Sequence, residues 1–230
     1  FQVDCKPDLP PEQLKEMIKD YDALIIRSGT KVTAEIIEAA HRLKFIGRAG
    51  VGLDNVDLKA ATKKGIVAMN TPAGNTTATA EQTMSLILSL SRNTPQAYMS
   101  MRAGKWDRSK FKGVELYGKT LGVIGLGRIG STVASMAKAF GMKIVAFDPY
   151  LSKEVTAKLG VEVVDFLDLI KISDYITIHT PKSVETKGLI GEKEFALMKP
   201  QARIINCARG GIINEAALIK ALQEKRIAGC

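Results

Sequence analysis

The chain has 230 residues, of which 46% are hydrophobic, and its formal net charge is +9 at pH 7. This length allows one large or two ordinary domains, and the hydrophobic share is typical of globular proteins. No hydrophobic run reaches the roughly 18 residues of a membrane span, no leader-like segment opens the chain, and the three cysteines lack metal-ligand spacing. We expect a cytoplasmic protein with reduced thiols, no metal site and no membrane association. Its basic residues are dispersed, which argues against a nucleic-acid partner and fits small acidic ligands.

Strand-like and helix-like segments alternate through the first 70 residues, and this alternation predicts a parallel α/β sheet. Predicted strands cover residues 22–26, 44–46 and 66–69, and predicted helices cover residues 11–20, 34–41 and 57–64. Pro11 in a first helical turn and Thr33 as an N-cap mark helix starts, and Gly65 marks a helix end. Residues 1–4 resemble the second strand of a sheet ordered 2-1-3-4-5, so we expect this domain to lack its first strand.

Proline and glycine cluster in residues 70–75, where the alternation is interrupted. We place the domain boundary in this loop, which gives domains of residues 1–71 and 72–230. A long helix is predicted over residues 76–101, with a kink or break at Pro95. Its nearly continuous apolar surface fits burial against its own domain and a partner subunit, as in a homodimer or homotetramer. A wholly internal helix explains the pattern equally well.

The most specific pattern in the chain covers residues 121–148. An apolar strand leads into the segment GLGRIG, which is followed by an amphipathic helix and by a second strand that ends at Asp148. A βαβ unit of about 30 residues, with an acid about 20 residues beyond the glycines, is typical of dinucleotide-binding domains.

Each glycine of this segment has a separate role. Gly125 permits the tight turn, Gly127 lets a pyrophosphate approach the backbone, and Gly130 lets the helix pack closely. The free N–H groups at the helix start then bind the phosphates. Asp148 can accept hydrogen bonds from both ribose hydroxyls and would repel a 2′-phosphate, so the pattern favours NAD over NADP. The alternative is a glycine turn that binds nothing, and the acid argues against it.

The rest of the chain continues the alternation and predicts a second doubly wound sheet. Its strands are expected at residues 121–124, 143–147, 162–164, 175–179 and 203–206, and its last helix at residues 214–225. Residues 227–230 resemble the start of a sixth strand in a sheet ordered 3-2-1-4-5-6. We therefore expect both domains to be incomplete at the chain ends, as in an excerpt of a longer protein or a truncated variant.

Several motifs in register over the whole length resemble the NAD-dependent D-2-hydroxyacid dehydrogenases, most closely animal members with a phosphorylated substrate. The matching segments are residues 26–33 (IRSGTKVT), 47–57 (GRAGVGLDNVD), 69–75 (MNTPAGN), 125–130 (GLGRIG), 179–181 (HTP) and 206–211 (NCARGG). The resemblance implies a flavodoxin-like substrate-binding domain followed by a Rossmann NAD-binding domain. It also implies NAD-dependent oxidation of D-3-phosphoglycerate to 3-phosphohydroxypyruvate, the first step of L-serine biosynthesis.

The resemblance assigns substrate-binding residues as well. Arg209 ends a strand, and its planar guanidinium can hold a carboxylate together with the neighbouring keto oxygen as the catalytic arginine. Arg27 and Arg48 follow strands in the first domain and would bind the substrate anion, and Asn75 would contact the substrate near the hinge. Without the resemblance, Arg27 and Arg48 are more simply explained as solvated loop charges.

For the cofactor, the resemblance points to pyrophosphate, ribose, adenosine and nicotinamide contacts. The residues in these roles, in addition to the three glycines, are Arg128, Ile129, Asp148, Thr180, Cys207, Ala208 and Arg209. Val51 departs from the family pattern, which has a threonine with a cofactor contact there, so we expect no side-chain contact from it.

Neither of the two histidines is expected to transfer a proton. His179 ends a strand at a position where the family has a histidine that is not the acid, and His41 lies at a helix end, where a cation favours the dipole. In the family, a histidine paired with a glutamate transfers the proton. Both partners would lie beyond residue 230, so the chain is expected to supply cofactor and substrate contacts without the proton relay.

Two other functions remain open. One is a glyoxylate/hydroxypyruvate or glycerate reductase of the same family, which would prefer a phosphate-free acid. The other is a non-enzymatic protein, either an NAD(H)-sensing protein similar to transcriptional corepressors or a truncated inactive form. Partner binding that depends on NADH, without appreciable turnover, would favour this second class.

Overall fold

The computed structural model describes residues 2–151 and 160–230. The chain divides into two compact units, Phe1–Asn75 and Thr76–Cys230, and the division falls at the end of the proline- and glycine-rich loop. Each unit contains one sheet in which every strand pairing is parallel. The prediction of two parallel-sheet α/β domains is therefore confirmed.

The first unit is built on a three-stranded sheet with the order β1-β2-β3. Its strands are Ala23–Ile26 (β1), Phe45–Arg48 (β2) and Val67–Asn70 (β3). Its helices are Pro11–Met17 (α1), which a 3₁₀ turn at Ile18–Asp20 continues, Ala34–Ala39 (α2) and Leu58–Lys63 (α3). The register pairs Ile26 with Arg48 and Arg48 with Asn70, so the three strands end level with one another.

The hydrophobic core of this unit lies on one face of the sheet. Ile26 and Ile46 are buried there together with Leu14 and Ile37, from α1 and α2. On the opposite face, the large side chains of β1 and β3, such as Ile25, are exposed. This strand alternation directs the side chains of one face into the core and those of the other away from it.

The strand predicted over residues 1–4 is wrong for the residues that the structure describes. Gln2, Val3 and Asp4 are exposed and have no strand conformation, and Phe1 lies outside the described residues. The Tyr21 hydroxyl donates a hydrogen bond to Asp4 at 2.5 Å. A strand requires a paired neighbour, and within residues 2–75 none of the three strands pairs with this segment.

The long helix predicted over residues 76–101 is two helices. They are Thr76–Arg92 (α4) and Thr94–Arg102 (α5), and Asn93 between them has a left-handed backbone with φ of 52°. The break therefore precedes Pro95, which lies in the first turn of α5, where a proline costs no hydrogen bond. One side of α4, including Met84 and Ile87, is buried in its own unit, while Leu86 remains partly exposed.

The second unit contains a five-stranded sheet with the order β6-β5-β4-β7-β8. Its strands are Thr120–Ile124 (β4), Lys143–Phe147 (β5), Glu162–Val163 (β6), Tyr175–Ile178 (β7) and Arg203–Asn206 (β8). Its further helices are Arg128–Ala139 (α6), Phe166–Ile172 (α7), Glu192–Leu197 (α8) and Glu215–Gln223 (α9). A 3₁₀ turn, Arg108–Phe111, follows α5.

This strand order is the predicted 3-2-1-4-5 arrangement, with β4 in the centre. Buried side chains cover both faces of the sheet, in two clusters that include Val123 on one face and Ile124 on the other. The chain switches sides between β4 and β7, and ligands of doubly wound sheets bind at the carboxyl ends of the strands at this point. Beside β8, Arg203 and Gly229 form a single parallel bridge, at the position expected for a sixth strand.

Asp174, directly before β7, connects the amino ends of the central strands. Its carboxylate accepts hydrogen bonds from the N–H of Thr120 at 2.8 Å and from the Lys199 ammonium at 2.9 Å. Burial alone would raise the pKa of Asp174, but these hydrogen bonds and nearby lysine charges outweigh it, so the pKa is lowered overall. The carboxylate therefore stabilises the folded state in its charged form.

Within the described residues, no helix combines the length and the hydrophobicity that crossing a bilayer requires. The three cysteines, Cys5, Cys207 and Cys230, are free thiols.

Candidate functional site

The turn after β4 has the geometry that its first glycine makes possible. Gly125 has a φ of 90°, which side-chain-bearing residues rarely adopt, and its N–H donates to the carbonyl of Phe147 at 2.9 Å. A Cβ on Gly125 would lie 2.9 Å from the carbonyl carbon of His179. The turn is therefore held between the ends of β5 and β7.

The N-terminus of α6 opens onto this turn. The first helical hydrogen bond runs from the N–H of Ser131 to the carbonyl of Gly127, so the N–H groups of Arg128, Ile129 and Gly130 precede it and have no helical acceptor. Apart from the chain neighbours of Gly127, no atom of the described residues lies within 4 Å of the position of a Cβ on this glycine, whereas a Cβ on Gly130 would collide with the Gly125 carbonyl oxygen. The helix start thus offers open N–H groups to an anion while packing closely against the turn.

Asp148, at the end of β5, braces the same turn. Its Oδ2 accepts a hydrogen bond from the N–H of Leu126 at 2.9 Å, and its Oδ1 accepts one from the N–H of Tyr150 at 3.0 Å. A carboxylate has about four acceptor positions, so these two bonds leave acceptors for two hydroxyl groups of a ligand.

A cleft of about 480 Å³ adjoins this carboxylate. Its lining residues are Phe147, Asp148, Pro149, Val163, Val164, Asp165 and Asp168. The lining combines apolar side chains, such as Phe147 and Val163, with three carboxylates. Apolar groups next to a hydrogen-bonding acid suit a planar base attached to a ribose.

The end of β7 contributes two polar side chains with different environments. The ring of His179 is mostly enclosed, its Nε2 lies 3.0 Å from the hydroxyl of Thr177, and burial lowers its pKa from 6.5 to about 4. This imidazole is therefore neutral at pH 7. Thr180 lies next to the Gly125 turn, and its buried hydroxyl has no hydrogen-bond partner among the residues that the structure describes.

The end of β8 forms a tight turn that presents Arg209. The side chain of Asn206 shapes this turn, because its Oδ1 accepts a hydrogen bond from the N–H of Ala208 at 3.0 Å and its Nδ2 donates to the Arg209 carbonyl at 2.9 Å. The Arg209 guanidinium donates to the Ala208 carbonyl at 2.8 Å. Cys207, Ala208 and Arg209 are all partly exposed at this edge of the sheet.

In the first unit, the predicted anion ligands lie at the carboxyl edge of its own sheet. Arg27 directly follows β1 and is exposed, and Arg48 is the last residue of β2. The Arg48 guanidinium turns into the following loop, where it donates to the carbonyl of Gly52. Asn75, the last residue of the unit, is exposed.

In the loop after β2, side chains bind two backbone carbonyl groups, whereas three N–H groups make no hydrogen bond within the described residues. The Val51 carbonyl accepts a hydrogen bond from the side chain of Asn70 at 2.5 Å, and Arg48 binds the next carbonyl. Within residues 2–151 and 160–230, the N–H groups of Val51, Gly52 and Leu53 donate to no acceptor. Consecutive free N–H groups in a loop that Arg48 also contacts favour a nearby anion.

Three asparagines that shape these loops were not predicted from the sequence. Asn70 and Asn206 end strands, and Asn55 lies in the loop after β2 and bonds to the loop after β1. For Asn206, its position at the end of a predicted strand and before a turn was a usable signal, because asparagine side chains bind nearby backbone groups in turns. Asn55 offered no local signal, because its partners are 25 and 28 residues away.

The chain belongs to the family of D-isomer-specific 2-hydroxyacid dehydrogenases. The model of that family's NAD-binding domain matches residues 84–230, which is more than half of the chain. The predicted NAD-binding domain and its cofactor are therefore confirmed.

Two curated relatives match almost the whole of this chain. The chain is 55% identical over 227 residues to D-3-phosphoglycerate dehydrogenase of Methanocaldococcus jannaschii, and 50% identical over 229 residues to that of Homo sapiens. These matches cover 98% and 100% of this chain but 43% of each relative, so the chain spans less than half the length of these curated proteins. A solved D-lactate dehydrogenase from Aquifex aeolicus, in complex with NAD and lactic acid, is 33% identical, with a TM-score of 0.86 over 96% of this chain and 66% of that one.

Proposed function

We propose that the protein oxidises D-3-phosphoglycerate to 3-phosphohydroxypyruvate with NAD, the first step of L-serine biosynthesis. The observation that carries this proposal is the set of groups at the carboxyl edge of the five-stranded sheet. There, an open helix start, an acid with spare acceptors and an arginine follow β4, β5 and β8. The names of the curated relatives at 50–55% identity support the choice of substrate.

The described residues fit NAD at three points. The space beside Gly127 admits a pyrophosphate against the N–H groups of Arg128 and Ile129. Asp148 has acceptors for both ribose hydroxyls, and its charge disfavours a 2′-phosphate. The buried hydroxyl of Thr180 lacks a partner among the described residues, and an adenosine group would satisfy it. When bound, NAD supplies the nicotinamide ring that accepts the hydride from C2 of the substrate.

Each unit contains arginines that we propose as ligands of an anionic group. Arg209 would bind the carboxylate and the oxygen on C2 in one plane, so that the oxygen is stabilised as it becomes a keto group. In the first unit, Arg27, Arg48 and the free N–H groups of the loop after β2 would bind an anionic group, and Asn75 would contact the substrate.

The hydroxyl proton of the substrate must leave as C2 gives up its hydride. A suitable acceptor titrates near the working pH. His179 is mostly enclosed and bonded to Thr177, and its pKa is lowered to about 4, while His41 is exposed at the end of α2. We infer that the proton is transferred by a group other than these two histidines.

We also propose that the protein is a homodimer or homotetramer that assembles through the region of α4 and α5. All residues of α5 have solvent access, and four large hydrophobic side chains on it or just after it are exposed, namely Tyr98, Met99, Met101 and Trp106. Exposed hydrophobic side chains that form one patch mark association surfaces, and these four lie within nine residues of the chain. Sedimentation of a Tyr98→Asp, Met101→Asp variant should show dissociation; unchanged mass would rule this surface out.

We also propose a cytoplasmic location, which fits the three free thiols.

The substrate is tested by kinetics on the purified protein in its longest natural form. NADH formation should be fastest, judged by kcat/KM, with D-3-phosphoglycerate, and Arg209→Lys should lower kcat/KM by about 100-fold. Arg203→Lys is the matched control, because Arg203 begins the strand that precedes Arg209 but stacks on Tyr175, 5.7 Å from its ring centre.

If glyoxylate, hydroxypyruvate or D-glycerate is turned over faster than D-3-phosphoglycerate, the protein is instead a reductase that acts on phosphate-free acids. NADH-dependent binding of a partner without turnover of any of these acids would instead identify a sensing protein.

A further inference from the structure

In each unit, an asparagine side chain binds the backbone carbonyl of an arginine that the proposed function assigns to the substrate. Asn206 does so within one short turn, as described above. Asn55 does so between two loops, because its Nδ2 donates to the carbonyls of Arg27 at 2.9 Å and Thr30 at 2.6 Å. Both N–H bonds of the Asn55 amide are therefore used to hold the loop that follows β1.

Backbone hydrogen bonds strengthen the same connection. The N–H of Val32 donates to the Asn55 carbonyl at 2.7 Å, and the N–H of Asp57 donates to the Val32 carbonyl at 2.9 Å. Val32 and Val56 form a parallel bridge between the two loops. The loop that carries Arg27 is thus attached at both of its ends, at Arg27 and Thr30 by a side chain and at Val32 by backbone.

The side chain of Arg27 has no such support. It is exposed, and within residues 2–151 and 160–230 it makes no hydrogen bond or ion pair. Its location therefore depends on its backbone, and the segment from Arg27 to Thr30 forms no regular structure and includes Gly29. A loop that is ordered before binding spares the ligand the entropic cost of ordering it.

We propose that Asn55 is a positioning residue, which holds the Arg27 loop in its binding conformation and so sets the affinity for the anionic substrate. This inference rests on the proposed function. Only the Nδ2 group of Asn55 can donate to both carbonyls, so the amide has one orientation that satisfies them, and in it Oδ1 is buried without a partner among the described residues. An aspartate of the same shape would turn a carboxylate oxygen toward them and replace attraction by repulsion.

The test is steady-state kinetics of Asn55→Asp and Asn55→Ser with D-3-phosphoglycerate and saturating NAD. Two lost hydrogen bonds should raise the substrate KM by about tenfold, while the KM for NAD and kcat change less than about twofold. The serine variant removes both amide N–H donors without adding charge, so it also covers the case in which the aspartate variant folds poorly. In an Arg27→Ala background, either substitution should raise KM by less than about twofold, because the residue that Asn55 positions is then missing.

Asp57→Ala is the matched control. Asp57 caps α3 by accepting a hydrogen bond from the N–H of Ala60 at 2.9 Å, so its loss should lower the melting temperature and leave the substrate KM unchanged. An unchanged KM in both Asn55 variants of an active enzyme would overturn the positioning role. Additive effects of the Asn55 and Arg27 substitutions would overturn its action through Arg27. Absence of any turnover by the unsubstituted protein in its longest natural form would refute the proposed function itself.

Discussion

The protonation of His179 provides a quantitative test of the structure. Burial lowers the pKa of this imidazole from 6.5 to about 4, so the folded state keeps the ring neutral in a range where the unfolded chain binds a proton. The free energy of unfolding is not reduced by this group above about pH 6.5. It falls as the pH is lowered toward about 4, and this group reduces it no further below that. One pKa unit corresponds to about 1.4 kcal/mol, so the expected loss is about 3 kcal/mol.

The two histidines of the chain make a matched pair for the measurement. His179→Gln removes the titrating group and keeps a side chain that can bind the Thr177 hydroxyl, and His41→Gln makes the same change at an exposed position. Urea unfolding from about pH 7.5 to pH 4 should show a smaller loss of stability in the His179 variant than in the unsubstituted protein. The His41 variant should follow the unsubstituted protein.

Parallel stability curves for the unsubstituted protein and the His179 variant would refute this reasoning. So would an imidazole pKa near 6.5 measured for His179 by NMR titration. Either result would mean that water reaches the ring freely, and it would return His179 to the list of possible proton acceptors.

Three further predictions concern other parts of the fold. The Lys64 ammonium donates to three carbonyls at the end of α2, at 2.7 to 2.9 Å. In chemical denaturation, Lys64→Met should therefore lower the free energy of unfolding by about 1–2 kcal/mol. The control variant Lys63→Met should leave it unchanged. Because the pKa of Asp174 is lowered, its stabilisation is present above the ordinary carboxyl pKa and is lost as the pH falls below it. Asp174→Asn should therefore cost about 1–2 kcal/mol at pH 7 and flatten the acid limb of stability; equal acid sensitivity would contradict this. Gly130→Ala should destabilise the fold by about 2–3 kcal/mol, because its Cβ would collide with the backbone. Gly127→Ala should keep the melting temperature of the unsubstituted protein and bind NADH about tenfold more weakly. The reverse pattern would exclude the roles assigned to the two glycines.

Patterns that depend on local sequence were predicted closely. The strands Lys143–Phe147 and Arg203–Asn206 were expected with these bounds, because continuous runs of β-branched and hydrophobic residues mark strands buried on both faces. The glycine turn, the helix after it and the acid at the end of β5 were predictable, since their spacing reflects one compact βαβ unit.

Features that depend on distant partners were not predictable. The role of Asn55 arises from two carbonyls that are remote in sequence, and nothing in its neighbours indicates them. The break between α4 and α5 was assigned to Pro95, but the backbone turns at Asn93, since a proline in a first helical turn needs no break of its own. The strand expected at residues 1–4 was inferred from its likeness to the second strand of a doubly wound sheet, whereas strand formation requires hydrogen bonds from a neighbour.

The central claim is that the β4 turn, the start of α6 and Asp148 bind NAD. Calorimetric titration of the protein with NADH and NADPH, repeated with Asp148→Ala, tests this most directly. We expect the unsubstituted protein to bind NADH and to discriminate strongly against NADPH, and the variant to bind NADH about tenfold more weakly with most of that discrimination lost. Failure of the unsubstituted protein to bind NADH, or an unchanged preference in the variant, would contradict the account.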